Sequence, residues 1–243
     1  MNNPGVRGFK DGDDKLFTPH NIAELKIAQA ELRFLLDRDY PPKSAGAYVG
    51  NHHQLSVRQR LALSRCTASS HRLKIREEKM LSAKIINGRT VYVDGFNQII
   101  VLEVALSGGM LFIGQDGCIR DLAELRGSYR LIPVTGTAIE LIRNSLLELR
   151  AAKAVFLLDE PVSNSGRLKT LIMNAGWPIP AEVRIVKSPD SELKRLHCVI
   201  TGDSAILDAC KSWFNLTAYI LRESRGYKNL PAPIDLSNLI DLQ

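Results

Sequence analysis

Cysteine is sparse in this chain: four residues, at positions 66, 118, 198 and 210, with no C-x-x-C pair among them. Such spacing suggests neither a zinc site nor a disulfide framework, and it fits thiols kept reduced in a cytosol. Long apolar runs are also missing. No segment approaches the roughly 18 consecutive apolar residues that a membrane-spanning helix needs, and the opening MNNPGVRGFKDGDDK has no apolar run after its basic residues. The expectation is a cytoplasmic protein, neither exported nor membrane-spanning. Several phosphate and nucleophile motifs are absent as well. There is no G-x-x-x-x-G-K-[ST], and GRLKT at 166–170 lacks the paired glycines, which argues against a P-loop NTPase. No G-x-G-x-x-G follows a strand pattern, and no G-x-S-x-G elbow supports a serine triad. His52-His53 has no partner at zinc-ligand spacing. A haloacid-dehalogenase-like phosphatase would need a second Asp two places after Asp94, and that place holds Phe96.

What remains is a chain of ordinary globular composition. Its 243 residues are 45% hydrophobic and 24% charged, with mean hydropathy −0.07, so a core of normal size can be buried. Thirty-two Lys and Arg against 26 Asp and Glu leave a charge of +6, which favours a polyanionic partner. That charge is concentrated. Between Arg58 and Arg89 nine cations, including Arg60, Arg65, Arg72, Lys74 and Arg76, face only Glu77 and Glu78, a surplus of +7. Such a run is either a solvated helical face or a phosphate-contacting surface.

Residues 1–17 have little to bury and read as a mobile or loosely docked arm. Residues 18–83 read as an all-helical module: helices from Thr18-Pro19 to before Tyr40, from Lys43 to Val49, from Ser56 and from about Ser70. From residue 84 the pattern changes. After Asn87-Gly88, a turn or hairpin, short apolar runs at 91–93, 110–113, 155–158, 183–186 and 198–200 alternate with helical stretches. That alternation predicts an α/β domain over 84–243, with a mainly parallel sheet and helices on both faces. The tail LPAPIDLSNLIDLQ reads as an extended strap ending in an apolar anchor.

Ligands gather at the carboxyl ends of parallel strands, and three predicted strands end in an acid: Asp94 in VDGFN, Asp159 in FLLDEPVSNSG, and Asp203 in VITGDSAILD. Carboxylates brought together repel one another, and a divalent cation is the natural means of keeping them ionised. An octahedral Mg²⁺ or Mn²⁺ could then activate water for attack on a phosphodiester. Each Asp taken singly also fits a helix or turn cap. Asn97 can cap the next helix or turn its amide toward the site, and Glu103, Asp116 and Asp208 are further candidate ligands. Ser163-Asn164-Ser165-Gly166 opens a helix after the Asp159 strand, with Arg167 adjacent, and its start could seat a phosphate or is simply N-capped. Arg126 and Arg130 flank an aromatic in RGSYR, which could hold a nucleotide or form a salt-bridged loop.

At VDGFN, LLDEPVSNSG and TGDSAILD the chain resembles the acidic strand ends of the PIN-like nuclease superfamily, particularly its NYN branch, over about 89–215. Asp94, Gly95 and Asn97 match a D-G-x-N opening, and Thr201, Gly202 and Asp203 match part of an S/T-G-D-x-D element whose second Asp is Ala205 here. The resemblance implies a PIN-like fold and Mg²⁺- or Mn²⁺-dependent hydrolysis of RNA. Asp94, Asp159 and Asp203 would be the metal ligands, and Arg58, Arg60, Arg65, Arg72, Lys74 and Arg76 would hold the RNA backbone. A homodimer is compatible with it. DRDYPPKSAGAYVG, LSVRQRLALSR and RGSYR also resemble a family of uncharacterised prokaryotic proteins with the same two-part organisation. The alternatives to a nuclease are a non-catalytic RNA-binding protein, which Ala205 favours, and a small-molecule phosphohydrolase.

Overall fold

Two buried apolar runs form the centre of the protein. In the computed structural model, which describes residues 7–125, 127–223, 230 and 232–238, β1 (Thr90–Asp94) and β4 (Lys153–Asp159) pair in parallel. Alternate residues of β4 serve opposite faces, as the strand period of two requires. Ala154, Phe156 and Leu158 join one apolar cluster, and Val155 and Leu157 join another. With β5 (Ala181–Val186) and β6 (Val199–Ile200) they make an all-parallel sheet in the order β5-β4-β1-β6. Its connections are α7 (Gly95–Leu106), α8 (Thr135–Glu148), α9 (Ser165–Met173) and α10 (Pro189–Leu193), and α11 (Ser204–Ala209) and α12 (Leu216–Glu223) follow β6. The chain class is therefore α/β with a parallel sheet flanked by helices.

The apolar run at 110–113, expected in the same sheet, instead contributes β2 (Phe112–Ile113) to a second one, in which β2 lies between β3 (Ile119–Arg120) and β7 (Ile234–Asp235). The tail thus enters as a short parallel strand beside β2, with Leu236 buried; the expected anchor at 239–240 lies outside the described residues.

The N-terminal part is helical: α1 (Asp13–Leu16), α2 (Pro19–Leu36), α3 (Pro42–His52), α4 (Val57–Cys66), α5 (Ser70–Lys79) and α6 (Ala83–Ile86). Thr18 caps α2 and Ser56 forms a capping box with Gln59 on α4. No strand precedes Thr90 among the described residues, so the hairpin reading of Ile85-Ile86 is corrected to a helical turn. Residues 7–17 are not a loose arm either. Asp13 is buried against Arg58, with Arg58 Nη2 2.5 Å from Asp13 Oδ2, and Arg7 is buried against Glu103 at 2.9 Å. No helix among the described residues is long and apolar enough to cross a membrane.

Candidate acidic site at the carboxyl edge of the parallel sheet

Numbered by their order within the sheet, the four strands run third, second, first, fourth, so the direction of connection reverses between β1 and β6. A reversal of this kind opens a crevice beyond the carboxyl ends of the strands. Asp94 ends β1, Asp159 ends β4, and Asp203 caps α11 directly after β6. The three predicted acids do share one edge of one sheet. A fourth acid that sequence reasoning missed joins them: Asp190, in the first turn of α10 after β5.

The two motifs on either side of the crevice clasp each other. Thr201 Oγ1 donates to Asp94 Oδ2 at 2.7 Å and accepts from the backbone N–H of Asp203 at 3.0 Å. Asn97 Oδ1 accepts from Gly202 N–H at 2.8 Å and from Gln98 Nε2 at 2.9 Å. The carbonyl end of the Asn97 amide therefore ties the start of α7 to the loop after β6 rather than facing a water at the site. Gly95 is required here for space. A Cβ on it would lie 2.5 Å from Leu158 Cδ2 and 3.1 Å from the Leu157 carbonyl oxygen.

Electrostatics grades the cluster from inside to outside. Asp94 is 7% exposed, and burial pushes its carboxyl up to about 7, opposed by the Thr201 hydrogen bond and reinforced by Asp203, Asp190 and Asp159. Asp159 is raised by burial and by Asp190. Asp190 is exposed and is raised by partial desolvation and by Asp203. Each of these shifts disfavours the ionised form, and a bound cation would reverse all of them. One oxygen of Asp203 is already engaged, accepting from Ala205 N–H at 2.8 Å and Ile206 N–H at 3.1 Å.

An all-carboxylate donor set is hard and suits Mg²⁺ or Mn²⁺. Among the described residues, no three of these aspartates bring ligand oxygens within 4.8 Å of one another. The set therefore fits a cation held by one or two carboxylates with the remaining positions filled by water, the habit of Mg²⁺. A concavity of about 340 Å³ lined by Arg65, Asn97, Asp121, Gly202, Asp203 and Ser204 adjoins the cluster. A larger one, about 930 Å³, shares Ser64 and Ser204 with it and reaches back to Tyr40 and His71.

Several expected residues lie elsewhere. Glu103 is wholly buried on α7 and holds Arg7, the Tyr129 hydroxyl at 2.7 Å and the Thr135 hydroxyl; it is no ligand of the aspartate cluster. Tyr129 of RGSYR is buried by the same network, with Arg7 stacked 4.9 Å from its ring centroid, so it offers no face to a nucleotide. Arg130 is exposed, and Arg126 lies outside the described residues. Asp116 is enclosed by Arg76 and Arg120, each at 2.6 Å, and Asp208 pairs with Arg72 and Arg76. Neither is available as a metal ligand.

The basic segment is largely spent on docking. Arg58 and Arg76 are buried; Arg76 and Lys79 fasten α5 to α11, with Lys79 Nζ 2.9 Å from the carbonyls of Leu207 and Asp208. Trp213 Nε1 reaches the Arg76 carbonyl at 2.7 Å. Arg60 bonds the Leu55 carbonyl at 2.7 Å and Asn51 at 2.8 Å, and Arg65 bonds the Asp121 carbonyl at 2.5 Å. Exposed cations do remain: Lys74 on α5 and Arg167 on α9. Ser165 is buried, its hydroxyl donating inward to the Asp159 and Val162 carbonyls at 2.6 and 2.5 Å. The helix start is thus held by its own loop rather than kept open for phosphate.

The fold and site define an α/β protein with an acidic crevice at a parallel sheet's switch point, docked to a helical region through arginine–aspartate pairs. The family model described as Domain of unknown function (DUF5616) matches residues 83–219, and the chain belongs to that family. A second model, Protein of unknown function (DUF434), matches residues 24–79. A relative from Methanocaldococcus jannaschii, named Uncharacterized protein MJ0935, is 35% identical over 185 residues, covering 75% of this chain and 88% of the relative. No solved structure matches.

Proposed function

We propose that this protein is a divalent-metal-dependent nuclease, cytoplasmic, that hydrolyses RNA phosphodiesters at the Asp94–Asp159–Asp190–Asp203 crevice. The single observation that carries the reading is the placement of four aspartates at or just after the carboxyl ends of the four adjacent parallel strands, with Asp94 buried and raised to about 7. The resemblance of VDGFN and TGDSAILD to PIN-like NYN domains points the same way. Asp94 and Asp203 would hold the cation, and Asp159 and Asp190 would add negative charge beside it.

A bound Mg²⁺ or Mn²⁺ supplies Lewis-acid polarisation of a phosphoryl oxygen and lowers the pKa of water. The chain's own groups do the rest. Thr201 fixes the Asp94 carboxylate, and Asn97 fixes the loop that carries Asp203. Asp159 or the exposed Asp190, each a carboxylate at the same edge of the sheet, can accept a proton from the attacking water. The adjoining concavities give a polynucleotide a path toward Asp203, with Arg65 beside it.

The test is Mn²⁺-dependent cleavage of a mixed RNA pool by rigorously purified protein, parent against Asp94→Asn and Asp203→Asn. Cleavage lost in both variants is expected; cleavage unchanged by either would reject the assignment. A second reading, a non-catalytic RNA-binding protein of the same fold, is favoured by one observation: Asp208, the nearest substitute for the acid absent at Ala205, is held by Arg72 and Arg76. It predicts salt-sensitive RNA binding with no turnover.

A further inference from the structure

His52 and His53 stand side by side in the sequence with no ligand partner nearby, but the fold supplies one. α2 is anchored by buried Leu25, Ala28 and Leu32, and α3 by Ala45 and Val49. Their packing brings Glu31 of α2 against the carboxyl end of α3. There His53 Nε2 lies 2.8 Å from Glu31 Oε2. One ligand atom from each of Glu31, His52 and His53 falls within 4.8 Å of the others.

We propose that Glu31, His52 and His53 form a binding site for a borderline divalent transition metal, Zn²⁺ foremost, separate from the acidic crevice and independent of its function. Tetrahedral Zn²⁺ with bonds of about 2.0–2.1 Å places its ligand atoms about 3.3–3.5 Å apart. The Glu31–His53 pair needs to open only slightly, and His52, exposed at the helix end, closes the remainder by a change of side-chain rotamer. A metal there would take the place of the direct Glu31–His53 hydrogen bond. α3 ends at His52, so the negative end of that helix lies beside the site and favours a cation. Two imidazoles and one carboxylate suit Zn²⁺, Co²⁺, Ni²⁺ or Cu²⁺, whereas the all-oxygen crevice suits Mg²⁺ or Mn²⁺. Ligand chemistry therefore separates the two sites. Three protein ligands leave one position for water, and the bound ion staples α2 to the turn between α3 and α4.

The experiment is calorimetric titration of the full chain with Zn²⁺ in excess Mg²⁺, and of Co²⁺ followed by its visible d–d absorption. One equivalent is expected, with affinity at least tenfold weaker in His52→Ala and in Glu31→Gln and unchanged in Asp94→Asn. His52 is exposed, so His52→Ala should melt like the parent without metal, and its loss of binding would not reflect misfolding. Absence of stoichiometric binding by the parent, or equal affinity in His52→Ala, Glu31→Gln and the parent, would overturn the proposal.

Discussion

Replacing Asp94 by Asn should stabilise the protein, and by an amount that depends on pH. The Asp94 carboxyl sits at about 7 in the folded chain against a reference value of 3.8. Because the folded value is raised, the stabilising contribution of this group is fully present below the unfolded value and is lost as pH rises through the folded one. A gap of about three units corresponds to about 4 kcal/mol between the two limits, lost at about 1.4 kcal/mol per pH unit from roughly pH 4 to 7 and flat above. Asp94→Asn removes the titration while an amide oxygen can still accept from Thr201. The variant should therefore lie closest to the parent near pH 4 and exceed it by up to about 4 kcal/mol at pH 8. The shifts at Asp159 and Asp190 occur in both proteins and largely cancel in the difference. Urea unfolding across pH 4 to 8 without divalent cation measures it directly. A parent–variant difference that does not change with pH, or that shrinks as pH rises, would refute the burial and crowding argument.

Other consequences are sharper in sign than in size. Asp116, held down to about 2 by Arg120 and Arg76 despite its burial, contributes stability that is present above 3.8 and lost as pH falls toward 2. Asp116→Asn should cost about 3–5 kcal/mol at neutral pH by leaving two arginines underpaired, read by urea denaturation. Arg58→Met strands the buried Asp13 carboxylate and should cost a similar amount, on the order of 3–5 kcal/mol, with earlier proteolysis of residues 7–17. Gly95→Ala drives a methyl into Leu158 and the Leu157 carbonyl and should cost about 1–3 kcal/mol while weakening Mn²⁺ binding by displacing Asp94. If RNA is the substrate, Lys74→Ala and Arg167→Ala should each lower affinity and flatten the salt dependence by about one ion, measured by fluorescence anisotropy across a salt series.

Much of the parallel sheet was legible because its central strands are buried on both faces and read as short continuous apolar runs. Val91–Val93 and the 155–158 run were both recognised, and their terminal acids with them. Strand order was beyond reach, since the β1–β6 and β1–β4 pairings join residues about 60 to 110 positions apart. Asp190 was missed because it lies past the end of β5, in a five-residue helix. The signal that could have found it is the Ser-Pro-Asp start after that strand. Glu103 was misplaced because spacing along a helix does not say which side faces the sheet's edge. Hydrophobic patterning also cannot see polar anchors. Residues 7–17 looked too poor in apolar residues to dock, yet Arg7 and Asp13 hold them through buried ion pairs. The same blindness made the basic segment look like a phosphate surface, when Arg58 and Arg76 form part of the interior.

The most direct test of the acidic crevice as a cation site is electron paramagnetic resonance of free Mn²⁺ in a titration of the full chain carrying His52→Ala, which removes the histidine cluster while leaving the crevice intact. The account predicts tight Mn²⁺ binding that strengthens as pH rises through about 7 and is lost in Asp94→Asn and Asp203→Asn. Binding that ignores both substitutions, or no binding by the folded parent at pH 8, would contradict it.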